Sequence, residues 1–399
     1  MPAAEPDARS QSSLGKFLSL DLLDNRHPSL HGLRVFAILT VVQFHVTWIF
    51  AGENGIRLNG DWVRSSLTVF FGMDLFFMLS GFLIGSILLR SLEVDGRQRV
   101  GRFYMRRVFR TFPSYYIVLT FLALTTPLTV MQRQHLFYEY TYGTTLIPLG
   151  RSDSVMFWGW SLALEEQFYL TVPVFMFVLS RLKSDRSRII LLVCVWATAL
   201  VARLIVCYRH PSWSDFTLYD KVYFRTPTRF DPLVAGILLA FVLARYKDTI
   251  RVWLEDPFHR ALIGLPTLGC LWILLTPWLF GEENVKWVHM FAWGSITSVM
   301  YFGTLVLLLC TNGRVHELLS KPIYRRIATL GYGVYLVHIP LCDHVIVPFA
   351  QALDKRHVSL VLVWPLSLAL LSGMSLALAY VMHVLIEKPS LWVRDRVAG

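Results

Sequence analysis

Apolar residues recur along this chain in runs close to the roughly 20 residues that a helix needs to cross a bilayer. Ten runs are legible, at about 33–50, 67–89, 113–131, 156–180, 189–207, 227–245, 260–280, 289–311, 327–350 and 360–385. They predict an all-α, polytopic bundle of about ten transmembrane helices. The ninth run contains Pro340 and Pro348 and is expected to break or stop early. No linker, repeat or low-complexity tract divides the chain, and the segments 91–112 and 132–155 are too short for separate domains. The expected organisation is a polar cytoplasmic segment over 1–29, one transmembrane domain over 30–388 and a short cytoplasmic tail over 389–399. Residues 1–29 lack the basic-then-apolar pattern of a cleaved signal, so the first run is expected to stay in the protein.

Composition agrees: the 399 residues are 55% hydrophobic and 16% charged, with mean hydropathy +0.50. The net charge of +11 suggests nucleic acid until its distribution is examined. With the N-terminus inside, the inner loops hold nineteen Lys or Arg, the outer loops ten, and each tail three more on the inner side. That bias sets both termini in the cytoplasm, implies a multi-pass protein of the cytoplasmic (inner) membrane, and removes the need for a nucleic-acid partner. Cys194, Cys207, Cys270, Cys310 and Cys342 fall in or beside the runs and read as packing residues.

The polar residues inside the runs carry the chemistry. Arg34 and His45 stand eleven residues apart in one apolar helix, hence on one face and about 16 Å apart along its axis. Ionisable groups at such depth are costly unless they line a polar cavity, so a path through the layer is expected between them. Asp74, about two turns into the second run, is placed at nearly the depth of His45, where it can fix the imidazole tautomer or merely satisfy a local need. Glu165 and Glu166 project about 100° apart, so only one can face a given site. A buried carboxylate here either shuttles a proton or balances an arginine such as Arg203 or Arg229. Gly81 and Gly85 read as close helix packing. Arg107 and Arg110, with Arg106 beside them, form a fork suited either to phosphate or to lipid headgroups. His338 and His344 are six apart, and no HExxH occurs, so no metal is expected.

In order, these segments resemble the acyltransferase 3 family of multi-span membrane acyltransferases, over nearly the whole chain. GLR followed by His45 matches the family's Arg-x10-His, and GMDLFFMLSGFLI its second-span signature. RRVFR holds its Arg-x-x-Arg element as Arg107 and Arg110, and WSLALEEQFYL, RFDPLVAGILLA, GYGVYLVHIPL and IEKP match further blocks. Two positions depart: His31 stands where the family has Asp, and Gly331 where it has Ser.

The resemblance implies transfer of an acyl group, often acetyl, from cytoplasmic acyl-CoA to a sugar or related envelope or secreted acceptor at the outer face. It favours Glu165 over Glu166, and phosphate over lipid for the arginine pair. Arg34, Arg107 and Arg110 are then the candidate donor-binding residues, and His45 the general base on the acceptor hydroxyl, oriented by Asp74 or Glu165. Arg229, Asp231, Tyr335 and His338 are candidate substrate contacts. The donor is acyl-CoA, with no tightly bound cofactor; the acceptor is a carbohydrate or glycolipid. Ser80 and Ser161 lie outside any GxSxG elbow and are weak candidates for a covalent nucleophile. The alternative is a transporter or flippase for a lipid-linked sugar or small anion.

Overall fold

The computed structural model describes residues 25–50, 72–95, 100–148, 150–209, 216–280 and 292–397, together with Leu20 and Leu23. Among them no strand occurs, and nine helices are long and apolar enough to cross a membrane. The protein is an all-α, multi-pass membrane bundle, as the hydrophobic runs predict. Its main helices are α1 (Ser29–Ile49), α2 (Gly72–Asp95), α3 (Val100–Thr125), α4 (Val130–Tyr140), α5 (Trp160–Arg181) and α6 (Asp185–Arg209). They continue with α7 (Asp231–Trp253), α8 (Pro257–Phe280), α9 (Trp293–Cys310), α10 (Pro322–Leu341), α11 (Leu360–Met382) and α12 (Lys388–Val397). Residues 67–71 and 289–291 of two expected spans, the loop 51–66 and most of the segment 1–29 lie outside the described residues.

Burial separates central helices from those facing lipid. The apolar window of α1 is 67% buried, against 17% for α6 and 6% for α8. Leu268, Trp272 and Leu124 accordingly stand exposed, an arrangement tolerable where the surrounding solvent is hydrocarbon. At the centre, α2 and α7 lie in backbone contact. A Cβ on Gly81 would come 2.0 Å from the Leu233 carbonyl oxygen, and one on Gly236 2.3 Å from that of Met78. The Gly81–Gly85 pair is thus a packing device, which lets two helices approach where lipid offers no hydrophobic drive.

Several boundaries differ from the expected ones. The loop expected over 91–112 is helical from Val100, where Phe103 packs into the core and the Arg107 guanidinium stands over its ring. That helix ends at Thr125, before Pro127, and α4 then occupies part of the expected outer loop. A capping box starts α4: Thr129 Oγ1 accepts from Gln132 N at 3.1 Å, and Gln132 Oε1 accepts from Thr129 N at 2.9 Å. The sixth expected span becomes a short helix, Thr226–Arg229, followed by α7, whose far half carries Arg245, Lys247, Asp248 and Arg251. The proline-bearing ninth span does not break. A π-helical turn, Cys342–Ile346, carries α10 into a further helix, Val347–Asp354, whose first turn takes Pro348. A second π-helical turn, His383–Glu387, joins α11 to α12, so the expected tail is helical as far as Val397.

Candidate active site

Helix α1 runs unbroken from Arg34 to His45. The stripe between them is apolar: Ile38 and Val41 are 2% and 4% exposed. A polar path on α1 itself is therefore absent, and its neighbours supply the polar groups instead. At one end Arg34 lies within electrostatic reach of Arg107, Arg110, Tyr169 and Glu165. The Arg107 guanidinium stands 5.0 Å over the Tyr169 ring. Ser80 on α2 donates a short hydrogen bond to Glu165, and the Tyr169 hydroxyl lies 3.3 Å from Ser80 Oγ. Glu166 points elsewhere, accepting from Thr111 Oγ1 on α3 at 2.9 Å. The two glutamates diverge as helical geometry requires.

One turn from Glu165 along α5, Ser161 Oγ meets the Tyr335 hydroxyl at 2.5 Å, and that hydroxyl donates to the Trp158 carbonyl at 2.6 Å. Tyr335 in turn stands one turn from His338 on α10. Glu165, Ser80, Tyr169, Ser161, Tyr335 and His338 thus form a ladder of polar groups between the levels of Arg34 and His45. Gly331 shares the face of Tyr335 and His338. It is buried, yet a Cβ there meets nothing within 4 Å. Space therefore lies beside the ladder.

The geometry at His45 fixes its protonation pattern. His338 Nδ1 lies 2.7 Å from the Tyr335 carbonyl oxygen and His45 Nδ1 2.9 Å from that of Val41. Carbonyls only accept, so both Nδ1 atoms carry the hydrogen. His338 Nε2 is then a bare acceptor, and it lies 3.2 Å from His45 Nδ1, which donates to both neighbours. The remaining nitrogen, His45 Nε2, holds a lone pair and has no protein partner among the described residues. His338 is fully buried, whereas His45 is partly exposed.

Asp74 does not orient this imidazole. Its Oδ1 lies 2.8 Å from Arg229 Nη1, and its Oδ2 accepts from Trp293 Nε1 at 2.9 Å. Arg203 holds Asp231 through Nη1 at 3.1 Å and Nη2 at 2.8 Å, and also donates to Ser295 Oγ and the Thr228 carbonyl. Arg229 lies 4.3 Å over the Tyr223 ring. All four charged side chains are at most 2% exposed. A buried carboxylate pairs with a guanidinium before a neutral imidazole, because only the cation offsets its desolvation. Asp74, Arg229 and Asp231 thus tie helix ends together, Glu165 belongs to the arginine cluster, and neither carboxylate reaches His45.

A cleft at the arginine end is lined by Leu23, Arg110, Thr329, Tyr332, Glu387, Leu391 and Arg394. Within the adjoining π-helical turn His383 Nδ1 donates to Glu387 Oε2 at 2.7 Å. Sequence reasoning missed Glu387, Arg394 and His383. The four-residue spacing of His383 and Glu387 was the available signal, and nothing local announces Arg394. No group of three His, Cys, Asp or Glu suited to a metal converges among the described residues.

Comparison with known proteins adds the family. Residues 27–384 match the model of the acyltransferase 3 family, described as an acyltransferase domain. The peptidoglycan O-acetyltransferase OatA of Listeria monocytogenes is 28% identical over 338 residues, 79% of this chain and 49% of that protein. A Staphylococcus aureus protein named "Putative O-acetyltransferase SACOL0978" is 24% identical over 333 residues, 80% of this chain and 51% of its own. The chain spans about half the length of these curated relatives. No solved structure matches it. With nine-tenths of its length under the family model, and the family's motifs folded around one ladder of polar groups, the chain belongs to the acyltransferase 3 family.

Proposed function

We propose that this protein moves an acyl group, acetyl in the simplest case, from cytoplasmic acyl-CoA to a carbohydrate hydroxyl at the far face of the inner membrane. The observation that carries the reading is the bare Nε2 of His45, held in that state by His338 and two backbone carbonyls. The positive-inside bias supports a cytoplasmic placement of the arginine end. There Arg34, Arg107 and Arg110, joined by Arg394, bind the phosphates of the donor. The pantetheine arm runs through the space at Gly331 and covers the roughly 16 Å to His45.

At His45 the acceptor hydroxyl oxygen attacks the thioester carbonyl carbon while its proton passes to Nε2. The C–S bond then breaks, the ester forms, and the CoA thiolate takes the proton back from the imidazolium. His338 offsets the positive charge on His45 by accepting from Nδ1, the positioning role first given to Asp74 or Glu165. Glu165 sets the place of the arginines. The O-acetyltransferase names of the relatives support the reaction type, and the peptidoglycan named for one of them supports a sugar polymer as acceptor.

The test is acyl transfer from labelled acetyl-CoA by the purified protein in liposomes. His45→Ala is expected to keep its fold and CoA binding and to lose about 10²- to 10⁴-fold in rate, the usual contribution of a general base. Wild-type turnover by that variant removes the mechanism. Movement of a glycolipid with no acyl transfer supports the transporter alternative instead.

A further inference from the structure

We propose that Arg151, Asp343 and Phe157 form the subsite that holds a sugar ring of the acceptor beside His45. The inference rests on the acyl-transfer reading above and names where its acceptor binds. Asp343 lies in the π-helical turn that follows α10, five residues beyond His338. Such turns insert an extra residue and gather at functional sites. Arg151 comes from the segment between α4 and α5, and its Nη1 lies 2.7 Å from both carboxylate oxygens of Asp343. The guanidinium stands 5.2 Å over the Phe157 ring, which sets its plane.

Three features separate this pair from the buried ties of Arg203 and Arg229. It is open, with side chains 46% and 32% exposed. It is unsaturated: Asp343 engages one nitrogen of Arg151, leaving Nη2 and Nε as donors and the carboxylate lone pairs as acceptors. It is also aromatic on one side. A vicinal diol needs this set, since each hydroxyl can donate to a carboxylate and accept from a guanidinium while the C–H face of the sugar lies against the face of an aromatic ring. The charges cancel, so the subsite suits a neutral sugar rather than an anion.

The experiment compares wild type with Asp343→Asn, Arg151→Gln, Phe157→Ala and the charge-swapped double variant Arg151→Asp with Asp343→Arg. Envelope glycans from cells expressing each form are digested and weighed for added acyl groups. The same purified proteins are assayed for acyl-CoA cleavage with water as acceptor and for thermal melting. Asp343→Asn and Arg151→Gln are expected to lower glycan acylation at least about tenfold, the worth of a hydrogen bond to a charged group, and Phe157→Ala to lower it in the same direction. Melting and acyl-CoA cleavage of Asp343→Asn and Arg151→Gln stay at the wild-type level, Phe157→Ala melts lower because its ring packs against the core, and the swap does not rescue acylation. Rescue by the swap shows that the pair merely ties two segments and overturns the proposal, as does undiminished acylation or a parallel loss of cleavage. If His45→Ala acylates glycans as wild type does, the parent reading fails, a result distinct from failure of the subsite alone.

Discussion

Replacing Gly331 probes the proposed donor path directly, because the position combines burial with empty space. Glycine inside a helix costs about 0.5–1 kcal/mol relative to alanine, through the freedom it loses on folding. A Cβ here meets no neighbour within 4 Å, so Gly331→Ala and Gly331→Ser should recover part of that cost. Their melting temperature should stay level or rise slightly, with activity kept. Gly331→Leu and Gly331→Trp extend into the same space. If it were closed packing, overpacking would lower stability by about 1–3 kcal/mol. If it is the passage for the pantetheine arm, melting is spared and the donor is excluded. A hundredfold fall in kcat/KM for acetyl-CoA corresponds to about 2.7 kcal/mol of lost transition-state stabilisation. The assay pairs melting in detergent with acetyl-CoA titrations of each variant. A folded Gly331→Trp protein with wild-type kcat and KM for the donor refutes the path.

Four further outcomes follow from particular contacts. Asp74→Asn leaves the buried Arg229 without its counter-charge and should cost about 3–5 kcal/mol in stability, read as lost folded yield; normal melting with reduced kcat would return Asp74 to a catalytic role. His338→Ala removes the acceptor from His45 Nδ1 and should lower kcat with little change in donor KM, and a change in KM alone would contradict the positioning role. Arg110→Ala together with Arg394→Ala should raise the KM for acyl-CoA, an effect that added salt reduces; an unchanged KM means that the cleft at Tyr332 is not the phosphate site. Glu139, fully buried on α4, accepts from the backbone N–H groups of Val155 and Met156 at 2.8 Å each, so Glu139→Ala should lower stability by about 1–3 kcal/mol per orphaned group, checked by melting.

The hydrophobic runs made the bundle legible, because a bilayer leaves one solution for a long apolar run of backbone. The register of Arg34 and His45 was equally legible, since it depends only on the repeat of one unbroken helix. Partner choice was not. Depth alone placed Asp74 beside His45, yet Arg229, whose sequence separation from Asp74 exceeds 150 residues, claims the carboxylate. Rotation about each helix axis decides such pairings, and it is set by contacts like those of Gly81 and Gly236 rather than by hydropathy. Prolines misled in the same way. Pro340 reads as a break, but α10 runs through it to Leu341, and the π-helical turn that follows brings Asp343 to Arg151.

Charge balance distinguishes the two ends of the molecule. At the His45 end Arg229, Arg203 and Arg151 each meet a carboxylate, from Asp74, Asp231 and Asp343 respectively. Each pair cancels, so this end presents no excess charge from these residues. At the other end Arg34, Arg107, Arg110 and Arg394 outnumber the carboxylates of Glu165, Glu387 and Asp395, the last held by Arg394 at 2.7 Å, and Glu166 is turned aside to Thr111. Uncompensated guanidiniums in a low-dielectric setting repel one another, a cost that an arriving polyanion relieves. The arginine end is therefore built to gain from binding phosphates, while the His45 end gains nothing from a charged acceptor. The polar ladder from Glu165 to His338 joins a cationic end to one without net charge from these pairs, the asymmetry that the proposed transfer requires.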